Sequence, residues 1–214
     1  MKSSSKTTTI FAIVGAITCF YAVFSQYIIR LYVYQAPVWQ LTINHFSFFT
    51  ILTNLLVGVF FTSQIFSSNN KWNQFFSTPS IATSIVVYIS LVGLIFNLLL
   101  RKIYHPSGLE GLNNNLLHVF IPLACIFYWY KYIPKERIKY KSISYWIIYP
   151  LCYVVYILVK GYFMHFYQYP FFDVDKLGYE KVLLMALCQL VVLTIMSAIY
   201  IWMNNKIVIK RSTN

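Results

Sequence analysis

Six runs of about 20 predominantly apolar residues, joined by short polar connections, constrain this chain more than any other feature. They cover roughly Ile10–Val33, Phe46–Phe66, Ile81–Leu100, Leu112–Tyr130, Ser144–Phe163 and Lys181–Met203. A helix needs roughly 20 residues at 1.5 Å each to cross ~30 Å of hydrocarbon, so every run has the length of a span. The sequence therefore predicts an all-α polytopic membrane protein, a bundle of six transmembrane helices forming one domain over residues 1–214. The connections leave no room for a separate soluble domain.

Composition agrees. The chain is 59% hydrophobic and 10% charged, whereas soluble domains carry about a quarter of their residues as charges. A net charge of +12 invites a nucleic-acid reading, but the basic residues sit at the ends of the runs and form no single stripe. Membrane topology accounts for them. With the N-terminus inside, one side holds Lys2, Lys6, Lys71, the cluster from Lys131 to Lys141, Lys206, Lys210 and Arg211; the other holds Arg30, Arg101, Lys102, Lys160, Lys176 and Lys181. The excess on the first side predicts both termini in the cytoplasm, in a multi-pass protein of the cell membrane. The first run is too long for a signal-peptide core and no small-residue cleavage site follows it closely, so it reads as a span. Cys19, Cys125, Cys152 and Cys188 fall in four different runs without metal-ligand spacing and read as small buried hydrophobes.

Within this apolar frame one titratable group stands out. His118 lies about two turns into the fourth run, and an imidazole at that depth must face a bundle interior or a wet cavity, which marks it as a functional candidate. Pro122 reinforces the point. A helical N–H at 122 would bond the carbonyl of His118, and proline has none, so the backbone is expected to be loosened and kinked there. A structural histidine bonded to a neighbouring helix is the plainer alternative.

The second run supplies a partner. Thr50, Asn54 and Gly58 recur at i, i+4 and i+8 and share one helical face, as a packing seam or as a nucleophile with a supporting amide. If both runs enter from the outer side, Thr50 lies about 6 Å down and His118 about 9 Å down. Two groups on different helices thus reach similar depth.

Other runs add candidates around that level. Ser90, Gly93, Asn97 and Arg101 line one face of the third run; Asn97 and Arg101 are candidate oxyanion or carboxylate partners, though an arginine at a helix end more often snorkels. Tyr149, Tyr153, Tyr156 and Lys160 line a face of the fifth run, which Pro150 is expected to kink. The aromatic fifth connection is expected to fold over the outer mouth and bring Asp173 and Asp175 near the level of Arg101 and Lys160. The stretch from Arg30 to Asn44 reads as an interfacial aromatic belt, His45 as interfacial, and residues 67–80 as a polar loop.

Chemistry narrows by exclusion. No run contains Asp or Glu, no histidine clusters with metal-ligand spacing, and no phosphate loop or hydrolase elbow is present, so no metal or cofactor is expected. A hydroxyl and an imidazole remain. Threonine is a weak nucleophile until a base takes its proton; a neutral histidine can do that and return the proton to a leaving alcohol. A third group usually orients the histidine: Asn114, Asn54, a tyrosine and Asp173 are the candidates.

Three blocks, FFTILTNLLVGVFF with Thr50, LNNNLLHVFIP with His118, and QYPFFDV with Asp173, resemble the androgen-induced six-helix membrane proteins and the androgen-dependent regulators of tissue factor pathway inhibitor, with their bacterial branch. Thr53 stands where the animal pattern has an acidic residue. The resemblance implies a threonine hydrolase of fatty acid esters of hydroxy fatty acids, with Thr50 and His118 as its working pair and a lipid within the bilayer as its substrate. The rival expectation is a non-catalytic channel, carrier or lipid-binding protein in which the same residues line a polar path.

Overall fold

The computed structural model describes residues 6–66 and 69–212; Lys2 and the first two residues of the polar stretch 67–80 lie outside them. Among the described residues every regular element is helical and there is no strand. It divides into two compact units, Met1–Glu136 and Arg137–Asn214.

The first unit begins with α1 (Lys6–Val33), which buries Ala12, Ala16, Cys19, Ala22 and Val23. These small residues recur every three or four positions and let a neighbouring helix come close. That neighbour is α3 (Phe49–Ser63). A Cβ on Gly15 would sit 2.8 Å from the Phe61 ring, and one on Gly58 would sit 3.1 Å from Phe20, so each glycine seats an aromatic ring of the opposite helix. Gly58 therefore serves the contact with α1, while Thr50 and Asn54 serve another.

The expected belt after α1 is itself partly helical. α2 (Val38–Phe46) runs into α3 through a bend of 70°. The hinge is Ser47, whose hydroxyl turns back onto the Ile43 carbonyl at 2.5 Å, and such back-bonding competes with the regular ladder. Phe48 then takes an extended conformation. This elbow carries His45 inward, so the histidine expected at the interface is fully buried. The polar stretch expected as a loop contains α4 (Lys71–Ser77), started by Asn70, whose side chain accepts the Trp72 N–H at 2.8 Å.

α5 (Pro79–Ile95) is the most enclosed helix of the unit and widens into a π turn at Phe96–Leu100. The chain returns through α6 (Gly108–Asn115), a second π turn at Leu116–Phe120, and α7 (Ile121–Tyr132). The anticipated disturbance at Pro122 is thus a π turn that contains His118.

In the second unit, a 3-10 turn at Tyr140–Ser142 leads into α8 (Ile143–Trp146) and α9 (Ile148–Met164). Ile147 between them keeps helical dihedrals, its N–H bonding Ile143 O and its carbonyl accepting from Leu151, each at 3.0 Å, so the helix runs on past Pro150 without a break. His165 ends α9 in the left-handed region, and a 3-10 turn at Pro170–Phe172 precedes α10 (Val174–Ser212), interrupted at Gly178, where φ is 76°. The side chain of Asn205 in α10 bonds both the N–H and the C=O of Ile138, each at 2.9 Å, imitating a backbone partner.

Four helical stretches among the described residues are long and apolar enough to cross a membrane: Lys6–Val33, Pro79–Leu100, Tyr140–Met164 and Val174–Lys210; the bent α2–α3 pair would make a fifth. The run bearing His118 is not among them, because its first turns, LEGLNNN, are polar. Exposed apolar side chains such as Ile17, Val159 and Leu187 cover the outer faces of these helices, as expected of a surface that meets hydrocarbon rather than water. Cys19 and Cys125 are buried as expected, but Cys152 and Cys188 lie on such outward faces.

Candidate active site

Thr50 and His118 meet. Thr50 is the second residue of α3 and His118 the middle of the second π turn, and the threonine Oγ1 lies 3.3 Å from the histidine Nε2. Both side chains are buried.

The other ring nitrogen settles the direction of that contact. Nδ1 lies 2.9 Å from the carbonyl oxygen of Asn114, one turn back. A carbonyl only accepts, so Nδ1 carries the proton, Nε2 presents a lone pair, and the Thr50 hydroxyl is placed to donate to it. The third group sought from the sequence is therefore the backbone of Asn114 rather than a side chain. Because the bond is local, no carboxylate is needed to choose the tautomer.

Pro122 explains the surroundings. In α register its missing N–H would have served the carbonyl of His118; in π register, the carbonyl of Leu117. The π spacing is present next door, where the Ile121 N–H reaches back to Leu116. Both carbonyls are covered from outside. Asn54 Nδ2 donates to Leu117 O at 3.3 Å and to Thr50 O at 2.8 Å, and Asn97 Nδ2 donates to His118 O at 3.2 Å and to Gly93 O at 2.7 Å. The two amides expected as oxyanion donors thus staple α3 and α5 to the turn that carries His118. Gly93 permits the second staple, since a Cβ there would lie 3.1 Å from His118 O.

Phe96 completes the cradle. Its ring stacks on the imidazole with centroids 3.8 Å apart and planes inclined by 22°. Sequence reasoning singled out Asn97 and passed over the residue before it, because an aromatic in an apolar run carries no signal of its own. Arg101 donates to Asn115 Oδ1 at 3.1 Å and its guanidinium carbon stands 5.7 Å from the Phe96 ring. It is exposed, as a helix-end cation usually is.

The remaining candidates belong to the second unit and have local partners. Lys160 is buried, donates to the Phe166 carbonyl at 3.3 Å and lies 4.9 Å from the Phe166 ring. Asp173 pairs with Lys176 at 2.9 Å and accepts the Lys176 N–H at 3.1 Å, while Asp175 lies 3.4 Å from His165.

The arrangement is a hydroxyl held against an unprotonated imidazole nitrogen at the positive end of a helix dipole, the first turn of α3. That can support proton removal from the hydroxyl and attack on an electrophilic carbon. Compared with protein-family models, curated proteins and solved structures, the chain finds no match.

Proposed function

We propose that this chain is an integral membrane hydrolase that cleaves a lipid ester of the fatty-acid-ester-of-hydroxy-fatty-acid type, with Thr50 as nucleophile and His118 as general base and then acid. In this reading six helices cross the cell membrane, both termini face the cytoplasm, and the acyl chains enter from the outer leaflet. The observation that carries it is the Thr50–His118 contact of 3.3 Å with the free lone pair on the histidine side. The motif resemblance described above points the same way.

The proposed steps use the Thr50–His118 contact. Thr50 Oγ1 attacks the ester carbonyl carbon as its proton passes to His118 Nε2, giving a tetrahedral oxyanion and an imidazolium. The bond to the alcohol oxygen breaks, and Nε2 returns the proton to that oxygen. Water then attacks the acyl-Thr50 ester as its proton passes to Nε2; the second tetrahedral oxyanion collapses, Nε2 returns the proton to Thr50 Oγ1, and the fatty acid leaves. The imidazolium formed twice in this cycle lies on the face of Phe96, where a cation is favoured.

A fluorophosphonate probe applied to membranes carrying the wild-type chain tests the assignment. Labelling is expected for the wild type and for Thr50→Ser, and none for Thr50→Ala or His118→Ala. An unlabelled wild type, or equal labelling of all four, would leave the non-catalytic membrane protein as the better reading.

A further inference from the structure

We infer that the first unit holds a second, separate binding site for a polar lipid head group that carries an anionic oxygen beside a hydrogen-bond donor. The site lies between the C-terminal part of α1 from Ser25 onward, the α2–α3 elbow and α6.

Its cationic side is Arg30. The guanidinium is stacked at 4.6 Å over Phe48, the residue that opens α3, and its Nε is buried without an acceptor among the described residues. A planar cation fixed by a ring but given no oxygen is suited to an anionic one, because its forked N–H groups match carboxylate and phosphate oxygens. His45, fully buried, lies within the field of Arg30 and turns toward the Val23 carbonyl without either ring nitrogen making a well-formed hydrogen bond.

The opposite side is made of acceptors. Gln26 stands one turn below Arg30 on the same face of α1; its Nε2 donates to Glu110 at 3.1 Å, which leaves Oε1 buried and unsatisfied. Asn113 donates to Ser25 at 2.9 Å, and its Oδ1 is likewise buried and unsatisfied. Both residues are more than nine-tenths buried. A buried acceptor without a donor costs about 1–3 kcal/mol, so orphans of both polarities, Arg30 Nε and Gln26 Oε1 one turn apart on α1 and Asn113 Oδ1 on α6, call for a molecule that supplies what the protein does not.

The complement of this surface is an anionic oxygen for Arg30 within reach of a hydroxyl or ammonium for Gln26, Asn113 and the Glu110 carboxylate. Its level identifies the source. Tyr32, Tyr34 and Trp39 stand exposed around it, and exposed Tyr and Trp of this kind mark the boundary where lipid head groups lie. Phosphatidylglycerol and phosphatidylethanolamine carry both features; phosphatidylcholine lacks the donor, and a free fatty acid has the anion alone.

Native mass spectrometry of the full chain in detergent, with each of these four lipids added separately, tests the site. The first two are expected to be retained roughly tenfold better than the others, in line with one charge-assisted hydrogen-bonded contact from the donor, and Arg30→Gln, which removes the partner of the oxygen that all four share, is expected to lower the retention of every one. Gln26→Leu is expected to lower retention of the two donor-bearing lipids while leaving the fatty acid unchanged. Equal retention of all four lipids by the wild type, stronger retention of the fatty acid, or unchanged retention of the lipids by Arg30→Gln shown to be folded by circular dichroism would each overturn the proposal. None of these readouts depends on Thr50 or on hydrolysis.

Discussion

His118 lies face to face with Phe96, ring centroids 3.8 Å apart, and this contact bears on charge as well as on packing. The proposed cycle places a positive imidazolium on that ring, and a cation over an aromatic face gains about 0.5–2 kcal/mol, or roughly 2- to 30-fold in rate. Phe96→Leu is therefore expected to slow fluorophosphonate labelling of Thr50 within that range, whereas Phe96→Tyr, which keeps the ring, labels near the wild-type rate. Equal rates for Phe96→Leu and the wild type would assign the ring to packing alone.

Asn97 covers a carbonyl that Pro122 cannot serve. Replacing it with leucine keeps the volume but strands His118 O inside the unit, at a cost of about 1–3 kcal/mol. Asn97→Leu is expected to lower the thermal unfolding midpoint in detergent and to slow labelling at the same time, because the turn it holds also aims the imidazole. Asn73→Leu, which alters another side-chain amide of this unit, is expected to leave labelling unchanged.

Gly93 sets how closely α5 approaches that turn. An added methyl would stand 3.1 Å from His118 O and 3.5 Å from the Pro122 ring, so the helices must separate by a few tenths of an ångström, and overpacking of this kind costs about 1–3 kcal/mol. Gly93→Ala is expected to reduce labelling further than it reduces stability, and Gly93→Val to abolish it. Labelling rate and unfolding midpoint measured on the same preparation separate the two effects.

Tyr104 gives the protein an alkaline limit. Its hydroxyl donates to Glu110 at 2.6 Å, and partial burial of this otherwise exposed residue, followed by that bond and the nearby carboxylate charge, raises its pKa. The folded state thus holds this proton more tightly than the unfolded chain. The stabilisation is complete below the ordinary tyrosine value of about 10 and declines as pH rises above it. The gap in unfolding midpoint between the wild type and Tyr104→Phe is expected to be constant from pH 7 to about 9 and to shrink by about pH 11.

Much of this architecture is readable in the chain because hydrophobic length and helical spacing are local properties. The pairing of Thr50 with His118 is what the motif resemblance implies, and the shared face of Thr50 and Asn54 and the similar depth of Thr50 and His118 follow from periodicity and rise. The orienting group for His118 does not, since a backbone carbonyl has no letter in the sequence. The elbow at Ser47 is equally silent: a serine between aromatics looks like ordinary interfacial composition, and only the fold shows that it turns α2 inward and buries His45. Asn54 and Asn97 were visible as polar residues at the right level, but their duty toward Leu117 and His118 depends on which carbonyls Pro122 leaves unserved, and that is decided where three helices meet.

The π turn at Leu116–Phe120 makes the working geometry sensitive to chain length. Such a turn holds one residue more than an α turn, so the helix on one side is phased differently from the helix on the other. Excising a single residue there would restore an uninterrupted α-helix without touching Thr50, Asn97 or Phe96. It would also swing everything beyond it by about 100° about the axis. A chain shortened by that one position would keep its hydropathy profile and lose its alignment.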